Sequence, residues 1–384
     1  MRILFDATTL CAPDGSMGAG IEQYTRCLLQ ALIKEAPRDV FFVAVPPACP
    51  KQAVERLIHG ASNIRLVRTL LPRVPFLSRH LIAPIRAALC VPDVYFSPFG
   101  QLPLGWPGKR SAVTVHDLSI FDHPEWFPET SSWSFTTRYV VPRSFARATN
   151  IICVSHFTLS RLQALFPETT AKTVVVHEGV ELGHYKEVEF ADRFPFERDY
   201  LLCLGTVEPR KNLVAAFRAF DRFLQGHPDE AAKVRLIVAG KSGWKTAETE
   251  EAARAINHAW KKEEPEGVIR FMGGVTEEEK WYLLSRAAGL VLLSHEEGFG
   301  LPVLEAMSVG TPVIVSRGGA LEEVAGDSAI MVDPDDTEAV SLALAQCLLV
   351  PEGLQSLRED GYRRAKQFSW EETAKKTIDV LHNL

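Results

Sequence analysis

The stretch SHEEGFGLPVLEAMSVGTPVIVS, residues 294–316, decides how the rest of this chain is read. Before it comes the apolar run GLVLL at residues 289–293, the pattern of a parallel strand covered on both faces. A loop carrying Gly298 and Gly300 follows. Pro302 then stands at the first residue of a predicted helix, where no amide donor is needed. That helix runs to Val309, Gly310 is its stop signal, and residues 311–316 form the next strand. Strand, glycine loop, short helix and strand make the repeating unit of a parallel α/β sheet.

The chemistry lies in the loop. Glycines let the backbone approach a ligand closely. The amides of Phe299, Gly300 and Leu301 open a helix, where N–H groups point outward and favour a phosphate. Glu297 precedes the turn and Glu305 follows it. A carboxylate repels a phosphate, so these acids are expected to face hydroxyls, and ribose and hexose supply them. The loop therefore predicts a sugar-nucleotide site. The plainer alternative is a helix start in which Glu305 offsets the dipole.

Outward from this segment, YLLCLGTV at residues 200–207 opens a second α/β unit. Its first turn, EPRKN, places Arg210 and Lys211 between a strand's carboxyl end and the helix from Leu213. Two cations there suit a diphosphate, each charge-assisted hydrogen bond being worth about 1.5–3 kcal/mol. A leaving diphosphate gains negative charge, so the same cations stabilise the transition state of a transfer. Residues 234–240 and 268–274 read as further strands, and residues 247–262, 336–349 and 352–367 as helices. TEEEK at residues 276–280 has the form of a capped helix start, Thr276 with Glu279. Gly318 and Gly319 begin another turn. No metal-ligand cluster is evident, and Asp335-Asp336 reads as a helix cap, so no metal is expected.

The first half follows the same grammar. Residues 1–7 form a buried strand, Ile21, Tyr24, Leu28 and Leu32 have helical spacing, and residues 40–45 form a second strand. This opening is Rossmann-like. A dinucleotide site needs GxGxxG and an acid after the second strand. The loop offers Gly18, Ala19 and Gly20 with Gln23 in third place, and Pro46-Pro47 follow the strand, so NAD and FAD are excluded. Strands are predicted at residues 94–97, 112–116, 150–155 and 173–177, with helices at 131–147 and 156–166. His116 and Asp117 end the second of these strands, where open α/β sheets hold ligands. Residues 178–199 lose periodicity and read as a linker.

The whole chain of 384 residues, 46% hydrophobic with net charge −6, has room for two domains and is no general nucleic-acid binder. Its seven cysteines make no CxxC pair and several sit in apolar runs, which points to reduced thiols and a cytoplasmic setting. The opening MRILFDATTL is too short an apolar run for a signal peptide, and no run spans a bilayer. Residues 51–92 carry Lys51, Arg56, Arg65, Arg68, Arg73, Arg79 and Arg86 against Glu55, among apolar residues, a patch suited to an anionic membrane surface. An ordinary solvated face is the alternative.

HEEGFGLPVLEAMSVGTPVI resembles the E-x7-E signature of retaining glycosyltransferases of family 4, matching at Glu297, Gly298, Phe299, Gly300, Pro302, Glu305, Ala306, Gly310 and Pro312. VHDLS with HPEWF, GTVEPRKN and Ser155-His156-Phe157-Thr158 extend the resemblance over nearly the whole chain. It implies the GT-B fold, two facing Rossmann-like domains with a cleft between them: residues 1–190 with 367–384, and residues 191–366. The first domain would bind the acceptor, through loops at residues 10–19 and 46–107 that the sequence does not decode. The second would bind the nucleoside-diphosphate sugar. It also implies that Gly18 and Gly20 approach the donor phosphates, His116 and Glu297 meet the hexose, Arg210 and Lys211 hold the diphosphate, Glu305 the ribose, and Val275 the base. Thr206 stands where the family often has arginine. Glu277 is able to accept two N–H bonds from guanine and Lys280 to meet its carbonyl edge. That favours GDP-mannose, as in the bacterial polysaccharide mannosyltransferases that these strings resemble. A UDP- or dTDP-sugar is the near alternative, and a non-catalytic sugar-nucleotide-binding subunit the alternative of another class. The acceptor implied is a glycan or lipid-linked saccharide, and the setting the cytoplasm, peripheral on the inner membrane face.

Overall fold

A computed structural model describes residues 1–10, 19–46, 49, 60–68, 89–108, 110–130, 135–183 and 199–384. The chain divides into two compact units: Met1–Asp122, Glu129–Gly179 and Phe368–Leu384 in the first, His123–Pro128 and Val180–Gln367 in the second.

The first unit holds seven parallel strands: β1 (Arg2–Asp6), β2 (Val40–Val45), β3 (Ile64–Arg68), β4 (Val94–Ser97), β5 (Ser111–Val115), β6 (Asn150–Cys153) and β7 (Thr173–Val175), in spatial order β3-β2-β1-β4-β5-β6-β7. Ile3 registers with Phe41 on one side and Val94 on the other, so the order reverses between β1 and β4. Such a switch point, outside the carboxyl ends of the strands, is where open α/β sheets bind ligands. Its helices are α1 (Ala19–Glu35), α2 (Val141–Arg147, entered through a π-helical turn at Thr136–Val140), α3 (His156–Leu165) and the C-terminal helix. β3 was read from sequence as part of a basic patch. Its IRLVR mixes charged and apolar residues because it is an edge strand, with Arg65, Leu66 and Arg68 exposed. The other basic residues of that patch, Gly18, and most of the predicted acceptor loops lie outside the described residues.

The second unit holds β8 (Asp199–Leu204), β9 (Val234–Ala239), β10 (Ile269–Gly273), β11 (Gly289–Leu292), β12 (Val313–Ser316) and β13 (Ile330–Val332), parallel, in order β10-β9-β8-β11-β12-β13. The switch point falls between β8 and β11. Its helices are α4 (Leu213–Gly226), α5 (Ala247–Ala259), α6 (Glu277–Arg286), α7 (Leu301–Ser308), α8 (Gly319–Ala325), α9 (Thr337–Leu349) and α10 (Gln355–Ala365). On α4, Phe217, Phe220 and Phe223 are fully sequestered against β8, β9 and α9, each such ring contributing about 1.5–3 kcal/mol. This packing holds the turn before α4 in place.

The last helix, α11 (Trp370–His382), returns to the first unit, where its Thr373 hydroxyl donates to the His177 carbonyl. A side chain at Gly179 would bring its Cβ to 2.3 Å from the Trp370 nitrogen, so only glycine fits beneath that crossing. Cys27, Cys90, Cys153, Cys203 and Cys347 are free thiols, as expected. Cys49 departs from that expectation: it is disulfide-bonded, its partner lying outside the described residues. Among the described residues no single helix is long and apolar enough to cross a membrane.

Candidate active site

The β8/β11 switch point of the second unit gathers the residues singled out by charge. After β8 the chain turns through Pro209–Lys211, and Asn212 takes a left-handed conformation (φ 50°) that starts α4. After β11 the loop carries Ser294 to Gly300. Gly300 has φ 102°, and a Cβ there would meet Leu321 Cδ2 at 2.6 Å, so both conformation and space require glycine before α7. The loops are tied where the His295 amide donates to the Arg210 carbonyl at 2.9 Å. The Gly300 and Leu301 amides have no acceptor among the described residues.

Arg210 and Lys211 converge on Glu297. Arg210 donates to Glu297 Oε2 at 2.7 Å and to the Glu296 carbonyl at 3.0 Å, and Lys211 Nζ to Glu297 Oε1 at 2.5 Å. The Ser294 hydroxyl donates to the same Oε1 at 2.7 Å. Arg210 also donates from two nitrogens to Glu208 Oε1. Burial pushes the Glu297 carboxyl up, but the charges of Arg210 and Lys211 and the bonds from Lys211 and Ser294 bring it down to about 2. The sequence predicted two cations free for a diphosphate and an acid for a sugar. The structure brings them together as two cations balanced by Glu297 and Glu208. Glu208 and Ser294 escaped the sequence reading. The signal for Glu208 was its place two residues before Arg210 in EPRK.

A second cluster lies one turn into α6. Thr276 and Glu279 form the capping box that the sequence suggested. Lys280 Nζ lies 2.6 Å from Glu305 Oε1 and 2.7 Å from Glu277 Oε1. Burial works against its charge, yet the two carboxylates hold its pKa above the usual lysine value. Its ammonium therefore orients Glu305, which is 2% exposed, instead of standing open for a base. Glu277 is exposed at the helix start, and Trp281 Nε1 donates to its Oε1 at 3.1 Å. Glu277 Oε2 has no protein donor among the described residues. Val275 precedes the box, half-buried.

The segment His123–Pro128 packs with this unit. Trp126 stacks on His295, ring centroids 5.4 Å apart, and the Trp244 indole donates to the Trp126 carbonyl at 2.8 Å. HPEWF thus buttresses the loop beside Arg210, a placement that no local pattern announced.

His116 lies in the first unit at the end of β5. Its Nδ1 is 2.9 Å from Glu178 Oε1 and its Nε2 2.8 Å from the Pro98 carbonyl oxygen. Both ring nitrogens are thus engaged by the protein where the sequence suggested an open sugar contact. Burial opposes its charge, but the bond and charge of Glu178 raise its pKa above the ordinary histidine value. Glu178, 62 residues away, left no sequence signal. Gly20 lies exposed in the first turn of α1, with open space where a Cβ would stand.

Comparison with known proteins agrees with this geometry. The family model for glycosyl transferases group 1 matches residues 186–364, and that for Glycosyltransferase Family 4 matches residues 18–184. O-antigen chain mannosyltransferase B of Escherichia coli is 32% identical over 336 residues, 83% of this chain and 84% of that protein. O-antigen chain mannosyltransferase RfbU of Salmonella typhimurium is 24% identical over 247 residues, 64% of this chain and 63% of its own length. Among solved structures, Anabaena HepE in complex with UDP and glucose superposes with TM-score 0.70 at 16% identity over 100% of both chains. Sucrose-phosphate synthase from Thermosynechococcus elongatus does so with TM-score 0.71 at 20% identity, over 100% of this chain and 98% of that one. The chain belongs to glycosyltransferase family 4: it is a glycosyltransferase with the GT-B fold, built on two parallel-sheet Rossmann-like domains.

Proposed function

We propose that the protein transfers mannose from GDP-mannose to a glycan or lipid-linked saccharide, with retention at the anomeric carbon, in surface polysaccharide synthesis. One observation carries the reading. Arg210 and Lys211 share a single buried carboxylate, Glu297, beside two open amides at the start of α7. Oppositely charged groups held this close form a preorganised polar site that a diphosphate enters by exchange. Arg210, Lys211 and the Gly300 and Leu301 amides then grip the diphosphate. Glu297, released from its cations, accepts from hexose hydroxyls, and Glu305, oriented by Lys280, accepts from the ribose. His116 meets the transferred hexose. As the bond to the anomeric carbon breaks, charge builds on the departing phosphate, and the two cations strengthen their hold. The departing phosphate oxygen takes the acceptor proton on the same face, so no protein base is needed. Neither is a metal, and turnover is expected to survive chelation by EDTA.

The guanine preference rests on Glu277. Its Oε1 is pinned by Lys280 and Trp281, leaving Oε2 for N–H groups. Guanine offers an N–H edge where uracil offers a single N–H. The mannosyltransferases among the relatives support mannose as the sugar. A UDP-sugar is the second reading, favoured by the fold's likeness to a protein solved with UDP. Calorimetry with GDP and UDP separates them. Tighter GDP binding, weakened in Glu277→Gln, is expected, and equal or tighter UDP binding contradicts the guanine assignment. A hydrolysis screen over sugar nucleotides tests the reaction itself, with GDP-mannose expected to be cleaved fastest.

A further inference from the structure

The two bonds that hold the His116 ring are unequal. Nδ1 faces the Glu178 carboxylate and Nε2 faces the Pro98 main-chain carbonyl. The main-chain carbonyl only accepts, so Nε2 donates to it, and opposite an ionised Glu178 carboxylate Nδ1 donates as well. The other groups around the ring are Tyr24 on α1, edge-on with centroids 4.6 Å apart, and Asp117 on its own loop. The Tyr24 hydroxyl is paired with Thr114 at 3.1 Å and offers the ring no charge. Pro98 follows β4 and Glu178 follows β7, so one ring ties three loops at the carboxyl edge of the first sheet. Glu178 is itself buried, and its neighbour Gly179 is pressed against the start of α11, which fixes the carboxylate's backbone.

We propose that Glu178 is a positioning residue for the transfer: it anchors His116 through Nδ1 and leaves Nε2–H as the donor offered to a hydroxyl oxygen of the substrate. The bond to the carboxylate joins opposite charges, whereas the Pro98 carbonyl is a neutral acceptor, so the Glu178 bond is the stronger of the two. When a sugar oxygen competes, the Pro98 bond is therefore exchanged and the Glu178 bond stays. A carboxylate that orients a histidine and fixes which nitrogen faces the ligand is a recurrent device. The proposal rests on the reading of His116 as a hexose contact, and its test separates the two.

The test uses the full chain with Glu178→Gln, Glu178→Asp and His116→Ala, following GDP-mannose hydrolysis against pH and the His116 ring by NMR. In the wild type the ring is expected to remain an imidazolium above pH 6.5. In Glu178→Gln it should lose its proton at a pH lower by at least one unit, and the alkaline limb of kcat should move down with it. A one-unit move costs up to about tenfold in kcat at a pH above both limbs, while the KM for the donor changes little. Glu178→Asp should restore part of the shift, which a merely structural loss would not do. A wild-type ring titrating at the ordinary histidine value, or a Glu178→Gln profile superposing on wild type, overturns the proposal. If His116→Ala is crippled while Glu178→Gln is not, the proposal alone fails. If His116→Ala turns over as wild type does, the reading of His116 fails and takes the proposal with it.

Discussion

The two units share an architecture and differ in what they keep at the carboxyl ends of their strands. Each is a parallel sheet whose strand order reverses once, at β1/β4 in the first and β8/β11 in the second. One strand beyond the first reversal, after β5, the order of the chain delivers the His116 ring, held between a carboxylate and a carbonyl. At the second it delivers two cations and two carboxylates in mutual contact, next to unbonded amides. The fold fixes the address in both units. The residues after each strand decide whether that place holds one bonded ring or an ionic cluster, and only the second arrangement sets two cations side by side.

The comparison breaks most readily at Lys211. Lys211→Ala should lower GDP-mannose turnover by about 10²–10³-fold, the usual cost of one preorganised transition-state donor. Undiminished turnover would mean that the ionic cluster is structural. Glu305→Ala comes next. It leaves the Lys280 ammonium with Glu277 alone, and a denaturant titration should show a loss of about 3 kcal/mol, the low end for breaking a buried pair. Binding of GDP should weaken in parallel if Glu305 also holds the ribose.

The two sites should also fail at opposite ends of the pH scale. The Glu297 carboxyl is lowered from 4.5 to about 2. Its stabilisation is therefore complete above pH 4.5 and lost as pH falls toward 2, about 3 kcal/mol in all at 1.36 kcal/mol per unit. The His116 ring is raised above 6.5, so its contribution is present below that pH and lost as pH rises through the higher value. Glu297→Gln should flatten the acid side of a pH–stability curve and leave the alkaline side alone; an unchanged acid side would contradict the pairing. The smallest effect belongs to the capping box. Thr276→Ala should cost about 1 kcal/mol, and if Glu277 reads the base, GDP affinity should fall with it because the helix start carries both.

Much of this was legible in the sequence, for identifiable reasons. Buried parallel strands such as LLCL and VIV are unbroken apolar runs, so their places follow from counting, while their order in the sheets does not. β3 hid because its exposed edge carries charge among apolar residues with no clean period, and β13 because three residues are too few to show one. α8 hid because Gly318-Gly319 reads as a turn, although Gly318 only caps the helix that follows. Arg210, Lys211, Glu297 and Glu305 were visible as chemistry, while their pairing was not: Lys211 and Glu297 are 86 residues apart. The same distance effect concealed Glu178, and it exchanged the expected role of Lys280 for that of holding Glu305.

The central claim is that a diphosphate replaces Glu297 on Arg210 and Lys211, and a crystal structure of the protein with GDP bound tests it directly. Phosphate oxygens are expected about 3 Å from Lys211 Nζ, the Arg210 guanidinium and the Gly300 and Leu301 amides, with Glu297 turned away from Lys211. A diphosphate bound away from these groups, with the Lys211–Glu297 pair intact, would contradict it.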